Sequence, residues 1–255
     1  MNTLLTILSI WWGASVGLGY NQPYVNQSEF NLHVQDENNQ LVPLFLNSDG
    51  RYRWSDSAFI FSVENGELTT STPMTEVQAG TTLRDAYMAA QVKYFPATGT
   101  LPDTLFFTMP QYNTWIELMY NQNQADILRY AHAIIDNGFP PGVLMIDDNW
   151  QRYYGNFDFK AERFPNPKAM VDELHALGFK VMLWICPFVS PDSPEYRDLE
   201  ARGYLLKNPH GGTAILNWWN GYSACYDLTN PDAAAHFISV LKKVQADYGI
   251  DGYKL

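Results

Sequence analysis

The sequence is poor in features that mark several classes of protein. It has two cysteines, Cys186 and Cys225, which form no disulfide framework and show no metal-ligand spacing, so we expect both to be buried free thiols. Lys and Arg number 16 against 27 Asp and Glu, which leaves a net charge of -11. Because phosphate binding needs a basic surface, nucleic acid is not an expected partner.

Long apolar runs and cofactor-binding loops are also missing. Nothing approaches the roughly 20 apolar residues that a membrane helix needs, so we expect no membrane span. No Gly-rich phosphate loop or Gly-x-Ser-x-Gly elbow occurs, and the five histidines are scattered without metal-ligand spacing. The sequence therefore predicts no nucleotide cofactor, no metal site and no serine hydrolase chemistry.

The first residues are open to two interpretations. LLTILSI (4–10) resembles a short secretory hydrophobic region followed by the small residues Gly13, Ala14 and Ser15, yet no Lys or Arg precedes it. The same run also fits the first strand of a sheet. The compartment therefore stays open between secreted or periplasmic and cytoplasmic, and the oligomeric state stays open as well.

Aromatic residues, by contrast, are abundant. The chain has 8 Trp, 16 Tyr and 14 Phe, more than a core of this size needs. Flat apolar rings with polar tips suit stacking on the faces of sugars, and they also suit ordinary core packing. Composition alone leaves both uses open.

The apolar pattern divides the chain at about residue 95. Up to that point, short strand-like runs are separated by the turn signals Asn38-Asn39, Asp49-Gly50 and Asn65-Gly66, which is typical of an antiparallel sheet or sandwich. We therefore predict a β-rich, sandwich-like domain over residues 1–95. A connector with Pro and Gly (95–102) then leads into a second domain over residues 96–255.

Residues 96–255 alternate between strand-like and helix-like segments, which indicates an α/β domain with a parallel sheet. Predicted strands cover 103–109, 142–146, 180–185 and 250–255. Predicted helices cover 124–137, a segment opened by FPNP (164–167) that ends at Gly178, and 232–248. Because such crossovers are right-handed, four units make about half of a (β/α)8 barrel.

Polar and aromatic residues follow three of these predicted strands. They are Asp147, Asp148 and Trp150 in GVLMIDDNW (142–150), Trp184 in KVMLWICPF (180–188), and Lys254 in GIDGYKL (249–255). In a closed parallel barrel, the catalytic groups lie at the carboxyl ends of the strands. These residues are therefore candidates for a binding site.

Each candidate has more than one reading. The Asp147 and Asp148 carboxylates can accept hydrogen bonds from sugar hydroxyls, ligate Mg²⁺, or serve in caps and salt bridges. Since side chains alternate along a strand, one carboxylate should face the barrel mouth and the other should point sideways. Lys254 fits a Schiff-base amine, a hydrogen-bond donor to substrate, or a structural ion pair.

Further aromatic residues lie on a predicted loop at WWNG (218–221). Trp218, Trp219 and Asn220 combine two large rings with an amide. Exposed aromatic residues on a loop favour binding, although they can also pack beneath it.

Several motifs in order carry a family resemblance. IDDNWQRYYGNFDFKAERFPNPKAMVDELHALGFKVMLWICPFVSPDS (146–193), YDLTNP (226–231) and DGYKL (251–255) resemble glycoside hydrolase family 31. WWNG is most similar to the branch that contains myogenesis-regulating glycosidase and bacterial α-galactosidases. The resemblance covers the chain from about residue 105 onward. It implies a (β/α)8 barrel that hydrolyses α-glycosides with retention, through a covalent glycosyl-enzyme intermediate.

The resemblance also implies roles for single residues. Asp147 would bind hydroxyls of the sugar that is cleaved off, Trp184 would wall that subsite, and Lys254 would contact the sugar. In the family, the nucleophilic aspartate follows this lysine by two residues and the acid/base aspartate comes from a later strand. We therefore expect both catalytic carboxylates beyond Leu255 and assign no catalytic residue within the chain.

These observations together predict a substrate and a binding surface. The expected substrate is an oligosaccharide or glycoside, with an α-galactoside ahead of an α-glucoside or α-xyloside. A non-catalytic sugar-binding protein is the alternative, and a Schiff-base lyase that uses Lys254 ranks below it. The predicted substrate-binding residues are Asp147, Asp148, Trp150, Trp184, Trp218, Trp219, Asn220 and Lys254.

Overall fold

The computed structural model of the chain describes residues 10–34 and 40–255. The apolar run at 4–10 lies outside the described residues except for Ile10, and so does the Asn38-Asn39 turn signal. The chain divides into two compact units, Met1–Thr100 and Leu101–Leu255. The connector that was assigned to the second domain therefore belongs mostly to the first unit.

The first unit is mainly antiparallel. Its elements are β1 (Trp11–Ser15), β2 (Gln27–Asn31), β3 (Leu41–Asn47), β4 (Arg51–Trp54), β5 (Ile60–Glu64), β6 (Glu67–Thr70), β7 (Thr75–Gln78) and α1 (Leu83–Tyr94). One sheet has the strand order β1-β3-β4-β7 and the other has the order β2-β5-β6. Buried rings from both sheets meet in one core, with Phe45 of β3 and Phe61 of β5 5.0 Å apart. This is the predicted sandwich.

Helix α1 corrects the prediction for the end of this unit, where a β-like pattern was expected. Thr82 accepts a hydrogen bond from the Asp85 backbone, and the Asp85 carboxylate accepts one from the Thr82 backbone. This reciprocal capping box starts a helix. Ala86 and Ala90 of α1 then pack with Tyr52, on a cluster separate from the aromatic core.

The second unit alternates helices with strands. Its elements are α2 (Leu105–Thr108), β8 (Gln111–Asn113), α3 (Trp115–Leu118), α4 (Gln124–Asp136), β9 (Val143–Ile146), α5 (Pro167–Ala176), β10 (Lys180–Trp184), β11 (Phe188–Val189), α6 (Pro194–Arg202), β12 (Leu216–Trp218), β13 (Gly221–Cys225), α7 (Pro231–Tyr248) and β14 (Gly252–Lys254). Strands β9, β10 and β14 and helices α4, α5 and α7 lie close to their predicted bounds.

The central sheet of this unit has the order β14-β10-β9-β8, and every neighbouring pair is parallel. Helices α4, α5 and α7 pack against it through Ile127, Leu174 and Phe237. This is the predicted part of a (β/α)8 barrel, and it brings four carboxyl strand ends to one edge.

The first barrel strand was predicted in the wrong place. Residues 103–109 contain the short helix α2, and the strand that pairs with β9 is β8. A Cβ at Gly142 would lie 2.1 Å from the carbonyl oxygen of Pro110, so glycine lets the start of β9 approach the chain before β8. Helix α6 and the antiparallel hairpin β12–β13 were not predicted.

Candidate active site at the carboxyl ends of the strands

Asp147 is the first polar residue after β9, and it is only 4% exposed. Its Oδ2 accepts hydrogen bonds from Asn113 Nδ2 at 2.8 Å and from Lys254 Nζ at 2.9 Å. Its Oδ1 accepts one from the Asp148 backbone at 2.8 Å. Because Asn113 ends β8 and Lys254 ends β14, side chains from three strands converge on this carboxylate.

Asp148 is also buried, but its surroundings are different. One oxygen accepts from the Asn149 backbone at 2.6 Å, and the other accepts from the Tyr154 hydroxyl at 2.8 Å. Burial raises the pKa of Asp148 and the nearby Asp147 charge adds to the rise, whereas the bonds from Tyr154 and Asn149 oppose it. Of the two adjacent carboxylates, Asp147 forms an ion pair with Lys254, whereas Asp148 is hydrogen-bonded to neutral groups.

Tyr154 lies at the centre of the aromatic part of the site. Its ring is 6.0 Å from Trp184 and 5.0 Å from Trp218, both in edge-on arrangements. Asn220 donates a hydrogen bond to the Tyr154 hydroxyl. Burial raises the pKa of this hydroxyl, so it stays protonated and donates to Asp148. Through Tyr154, the WWNG loop is tied to the end of β9.

Two of the predicted tryptophans line this region and one borders it. Trp184 ends β10 and is nearly buried, and Trp218 stacks on Phe188 at 4.1 Å. Trp219 is 54% exposed and packs edge-on against Trp218 and Trp115. The predicted contacts of these residues with a sugar stay predictions.

Trp150 does not line the site with the other predicted tryptophans. Its side chain is fully buried, with its ring 4.7 Å from Phe159 and its indole N–H bonded to the Trp184 carbonyl oxygen at 2.7 Å. An indole that has its polar atom satisfied inside the core has no surface left for a ligand. Trp150, which was predicted as a substrate-binding residue, therefore packs in the core instead.

Sequence reasoning missed Asn113, Thr114 and Tyr154. Asn113 ends a strand that is too short to show an apolar pattern and Thr114 follows it, so no signal marked them. Tyr154 lies six residues after Asp148 in a loop, and its place depends on how that loop folds back. A tyrosine beside the conspicuous IDDNW motif (146–150) is the only hint, and it is weak.

Other reactive groups near the site are unsuited to catalysis. Cys186 and Cys225 are both buried and free, which confirms the prediction for the two thiols. Burial raises the pKa of Cys186 to about 12, so its thiol stays protonated and is a poor nucleophile. Across residues 10–34 and 40–255, no three His, Cys, Asp or Glu side chains are grouped to hold a metal ion. The helices in these ranges are all too short or too polar to cross a membrane.

Comparisons with known proteins agree with this arrangement. The model of the glycosyl hydrolases family 31 TIM-barrel domain matches residues 107–255, more than half of the chain. Myogenesis-regulating glycosidase of Mus musculus is 31% identical over 163 residues, which are 64% of this chain and 23% of that protein. An uncharacterized family 31 glucosidase, ORF2, of Pseudescherichia vulneris is 28% identical over 239 residues, 92% of this chain and 44% of its own.

A solved structure extends the likeness to both units. The crystal structure of a GH31 α-xylosidase from a soil metagenome, complexed with xylose, superposes with a TM-score of 0.72 at 23% identity. The match covers 97% of this chain and 36% of that one. The chain spans less than half the length of these relatives. The chain belongs to glycoside hydrolase family 31.

Proposed function

We propose that this chain forms the sugar-binding side of the active site of an α-glycosidase that removes terminal α-linked sugars with retention. The observation that carries the proposal is the buried Asp147 carboxylate, which Asn113 and Lys254 hold at the carboxyl end of β9. Sugar hydroxyls are hydrogen-bond donors. Bonds from them to an ionised carboxylate are about twice as strong as bonds between neutral groups.

Asp147 and Lys254 can bind a sugar together. Among the described residues, Asp147 Oδ1 takes a single hydrogen bond, from the Asp148 backbone, so a lone pair remains for a sugar hydroxyl. The Lys254 side chain is 46% exposed and uses one of its three donors on Asp147, which leaves donors for a sugar oxygen. Trp184 ends the neighbouring strand β10, where its ring can border the apolar face of the sugar.

Retention requires two further carboxyl groups, about 5–5.5 Å apart, on either side of the glycosidic bond. One attacks the anomeric carbon while the other protonates the leaving oxygen, and the second group then activates the water that releases the sugar. Asp147 and Asp148 are already engaged with Lys254 and Tyr154. The family resemblance implies a nucleophile two residues after Lys254 and an acid/base on a later strand, so we propose that the catalytic pair comes from residues after Leu255 in the complete polypeptide.

The sugar specificity is the finer part of the proposal. We propose an α-galactoside as substrate, because the WWNG motif resembles that branch and Asn220 is tied through Tyr154 to Asp148. A site that hydrogen-bonds one hydroxyl rejects the epimer that misplaces it. The xylose-bound relative and the family 31 glucosidase keep α-xylosides and α-glucosides as alternatives.

Two other functions are less well supported. A Schiff-base lyase needs a neutral lysine amine, whereas Lys254 forms an ion pair with Asp147 at 2.9 Å. A non-catalytic sugar-binding protein would use the same Asp147 site. It would bind monosaccharides without turnover, which the experiment below detects.

The test uses the complete polypeptide and the p-nitrophenyl α-glycosides of galactose, glucose and xylose. We expect the α-anomer to be released first, as monitored by proton NMR, and we expect the highest kcat/KM on the galactoside. Asp147→Asn should lower kcat/KM at least about tenfold, since charged hydrogen bonds are lost. Asp172→Asn is the matched control, because Asp172 forms an exposed pair with Lys168 within α5.

Three results would contradict parts of this proposal. Release of the β-anomer first would exclude retention, and faster cleavage of the glucoside or xyloside would exclude the galactoside assignment. Full activity of Asp147→Asn would exclude the sugar-binding role of that carboxylate.

A further inference from the structure

A cavity between α6, α7 and the loop after Tyr154 has no role in the site described so far. Its volume is about 210 Å³, well above the roughly 30 Å³ that one water occupies in the liquid. The buried side chains of Phe157, Leu199 and Val244 form an apolar wall, and the other side chains that line the cavity are mostly polar or charged. The cavity is therefore large enough for a small organic molecule.

Tyr226, from the YDLTNP motif (226–231), brings a hydroxyl without a partner to this cavity. The residue is only 3% exposed, and its hydroxyl forms no hydrogen bond with residues 10–34 or 40–255. Burial raises the pKa of Tyr226 to about 12, and the charges of Asp198 and Glu195, which also line the cavity, add to the rise. The hydroxyl stays protonated. Because a buried hydroxyl without a hydrogen bond costs free energy, a molecule in the cavity gains by bonding to it.

Two of the carboxylates that line the cavity lack a cation. Glu195 accepts hydrogen bonds from the Tyr153 hydroxyl and the Asn156 amide, both neutral donors at 2.8 Å. The Asp158 side chain accepts no hydrogen bond, and neither carboxylate forms an ion pair within the part of the chain that the structure describes. Two negative charges therefore lie at the cavity without compensation.

The other titratable groups around the cavity are paired or neutral. Asp198 forms an ion pair with Arg202 at 3.0 Å, and Lys243 forms one with Asp247. Burial and the nearby Arg202 charge lower the pKa of His236, so its imidazole is neutral at pH 7. A neutral imidazole has one acceptor nitrogen. The uncompensated charge of the cavity is therefore negative.

These groups fit a ligand that is positively charged and donates hydrogen bonds. An ammonium group has three donors and no acceptor, and the Tyr226 oxygen, the Asp158 carboxylate and the His236 ring can all accept. A phosphate or another anion would be repelled by the uncompensated carboxylates. A sugar hydroxyl both donates and accepts, so it matches a set of acceptors less well. A bare metal ion does not fit either, since the described ranges hold no group of three His, Cys, Asp or Glu side chains suited to one.

We propose that this cavity binds a small alkylammonium ion, such as a diamine. Its ammonium groups bond to Tyr226, Asp158 and Glu195, and its alkyl chain lies on the apolar wall, as the stem of a lysine side chain does on a protein surface. Charged hydrogen bonds to buried acceptors supply the affinity.

The cavity is separate from the sugar site. Tyr154 donates to Asp148 at the carboxyl end of β9, whereas Gly155, the next residue, lines the cavity. The loop therefore divides the two sites, and an amine and a sugar can bind at the same time.

The test compares a diamine with a neutral molecule of the same length. Calorimetry on the complete polypeptide measures the affinity for putrescine and for 1,4-butanediol, which has hydroxyls in place of the ammonium groups. We expect putrescine to bind at least about tenfold more tightly, because its hydrogen bonds are charged. Tyr226→Phe and Asp158→Asn should each weaken putrescine binding about three- to tenfold. Tyr226→Phe should keep the Tm, because its hydroxyl has no partner in the fold to lose.

Two further variants serve as controls, and both should keep the putrescine affinity within about twofold. Asp172→Asn removes an exposed carboxylate, paired with Lys168, that does not line the cavity. Asp147→Asn tests whether the amine binds at the sugar site instead. The proposal is overturned by equal affinities for putrescine and butanediol, by a loss of putrescine affinity in Asp147→Asn, or by full affinity in both Tyr226→Phe and Asp158→Asn. A lowered Tm of Tyr226→Phe would reveal a partner for the hydroxyl within the fold, and an absence of putrescine binding would leave only water in the cavity. Either result also overturns the proposal. These measurements need no turnover, so they decide the amine site whether or not the enzyme cleaves an α-glycoside.

Discussion

At the amino end of the four-stranded parallel sheet, Asp251 is paired with Lys180 and hydrogen-bonded to His175, whereas at the carboxyl end Asp148 lies among neutral partners. Lys180 Nζ and the Val181 N–H donate to Asp251 at 3.0 and 2.8 Å, and His175 Nε2 lies 2.7 Å away. Asp148 instead accepts from Tyr154 and from a backbone N–H. Both carboxylates lie next to strands of one sheet, but their environments differ in charge.

The pKa shifts of these two groups have opposite directions. Burial acts to raise the pKa of Asp251, but the hydrogen bonds from Val181, His175 and Lys180 outweigh it and lower that pKa. For Asp148, burial prevails and the pKa rises. The amino end of the sheet is therefore arranged to stabilise the fold. The carboxyl end retains an incompletely compensated charge, as expected where residues are selected for binding.

The largest expected effect tests whether position at the carboxyl end is enough to make a residue functional. Trp150→Ala removes a fully buried ring, so we expect a loss of about 3–5 kcal/mol in the free energy of unfolding. Trp219→Ala, at an exposed position, should change that free energy by about 0.5 kcal/mol or less. Urea unfolding of the two variants measures both. Similar losses in the free energy of unfolding would show that the difference in burial between Trp150 and Trp219 does not set their contributions to stability.

The second prediction concerns the amino end. Asp251→Asn should lower the free energy of unfolding by roughly 1–3 kcal/mol at neutral pH, because charged hydrogen bonds from Lys180 and His175 are lost. Since the folded-state pKa of Asp251 is lowered, its contribution is present above the unfolded pKa and is lost as the pH falls through the folded value. The difference in the free energy of unfolding between wild type and variant should therefore be full at pH 7 and should shrink as the pH falls below about 4, the pKa of an aspartate in the unfolded chain. A constant difference would contradict the ion-pair account.

The third and smallest effect concerns Asp148 at the carboxyl end of the sheet. There the pH dependence of stability has the opposite sign to that of Asp251. Because the folded-state pKa of Asp148 is raised, its contribution to stability is present below the unfolded pKa and is lost as the pH rises through the folded value. Asp148→Asn should therefore gain stability relative to wild type as the pH rises, by up to about 1 kcal/mol at pH 7. Thermal melts of wild type and Asp148→Asn, from below the unfolded pKa up to pH 7, measure the difference in stability. A relative loss at pH 7 would mean that the charged form is stabilised after all.

The parallel sheet could be predicted where its strands are apolar. Val143–Ile146 is buried at every position, and such a run between helical patterns marks a central strand. Strand β8 has only Gln111, Tyr112 and Asn113, so its place depends on pairing with β9 rather than on its own residues. The apolar residues of 105–107 were mistaken for that strand. Helix α1 did have a signal, the spacing of Thr82 and Asp85, which a capping-box search would have found.

The site was predictable in part for a similar reason. Asp147, Trp184 and Lys254 each follow or end a strand, so the rule that catalytic groups lie at carboxyl ends was enough to select them. Trp150 satisfies the same rule, and only the folded structure shows that its ring turns into the core. Tyr154 and Thr114 bond the two aspartates from loops that have no periodic pattern in the sequence.

The most direct test of the difference between the two ends measures sugar affinity and stability in one pair of variants. In the complete protein, Asp147→Asn should weaken binding of methyl α-galactoside, or of the methyl glycoside of the preferred sugar, at least about tenfold, because charged hydrogen bonds to the sugar are lost. Asp251→Asn should lower the free energy of unfolding while keeping the affinity within about twofold, since it acts at the opposite end of the sheet. Calorimetry and urea unfolding supply the four values. The account is contradicted if Asp251→Asn loses the sugar or if Asp147→Asn binds it as tightly as wild type.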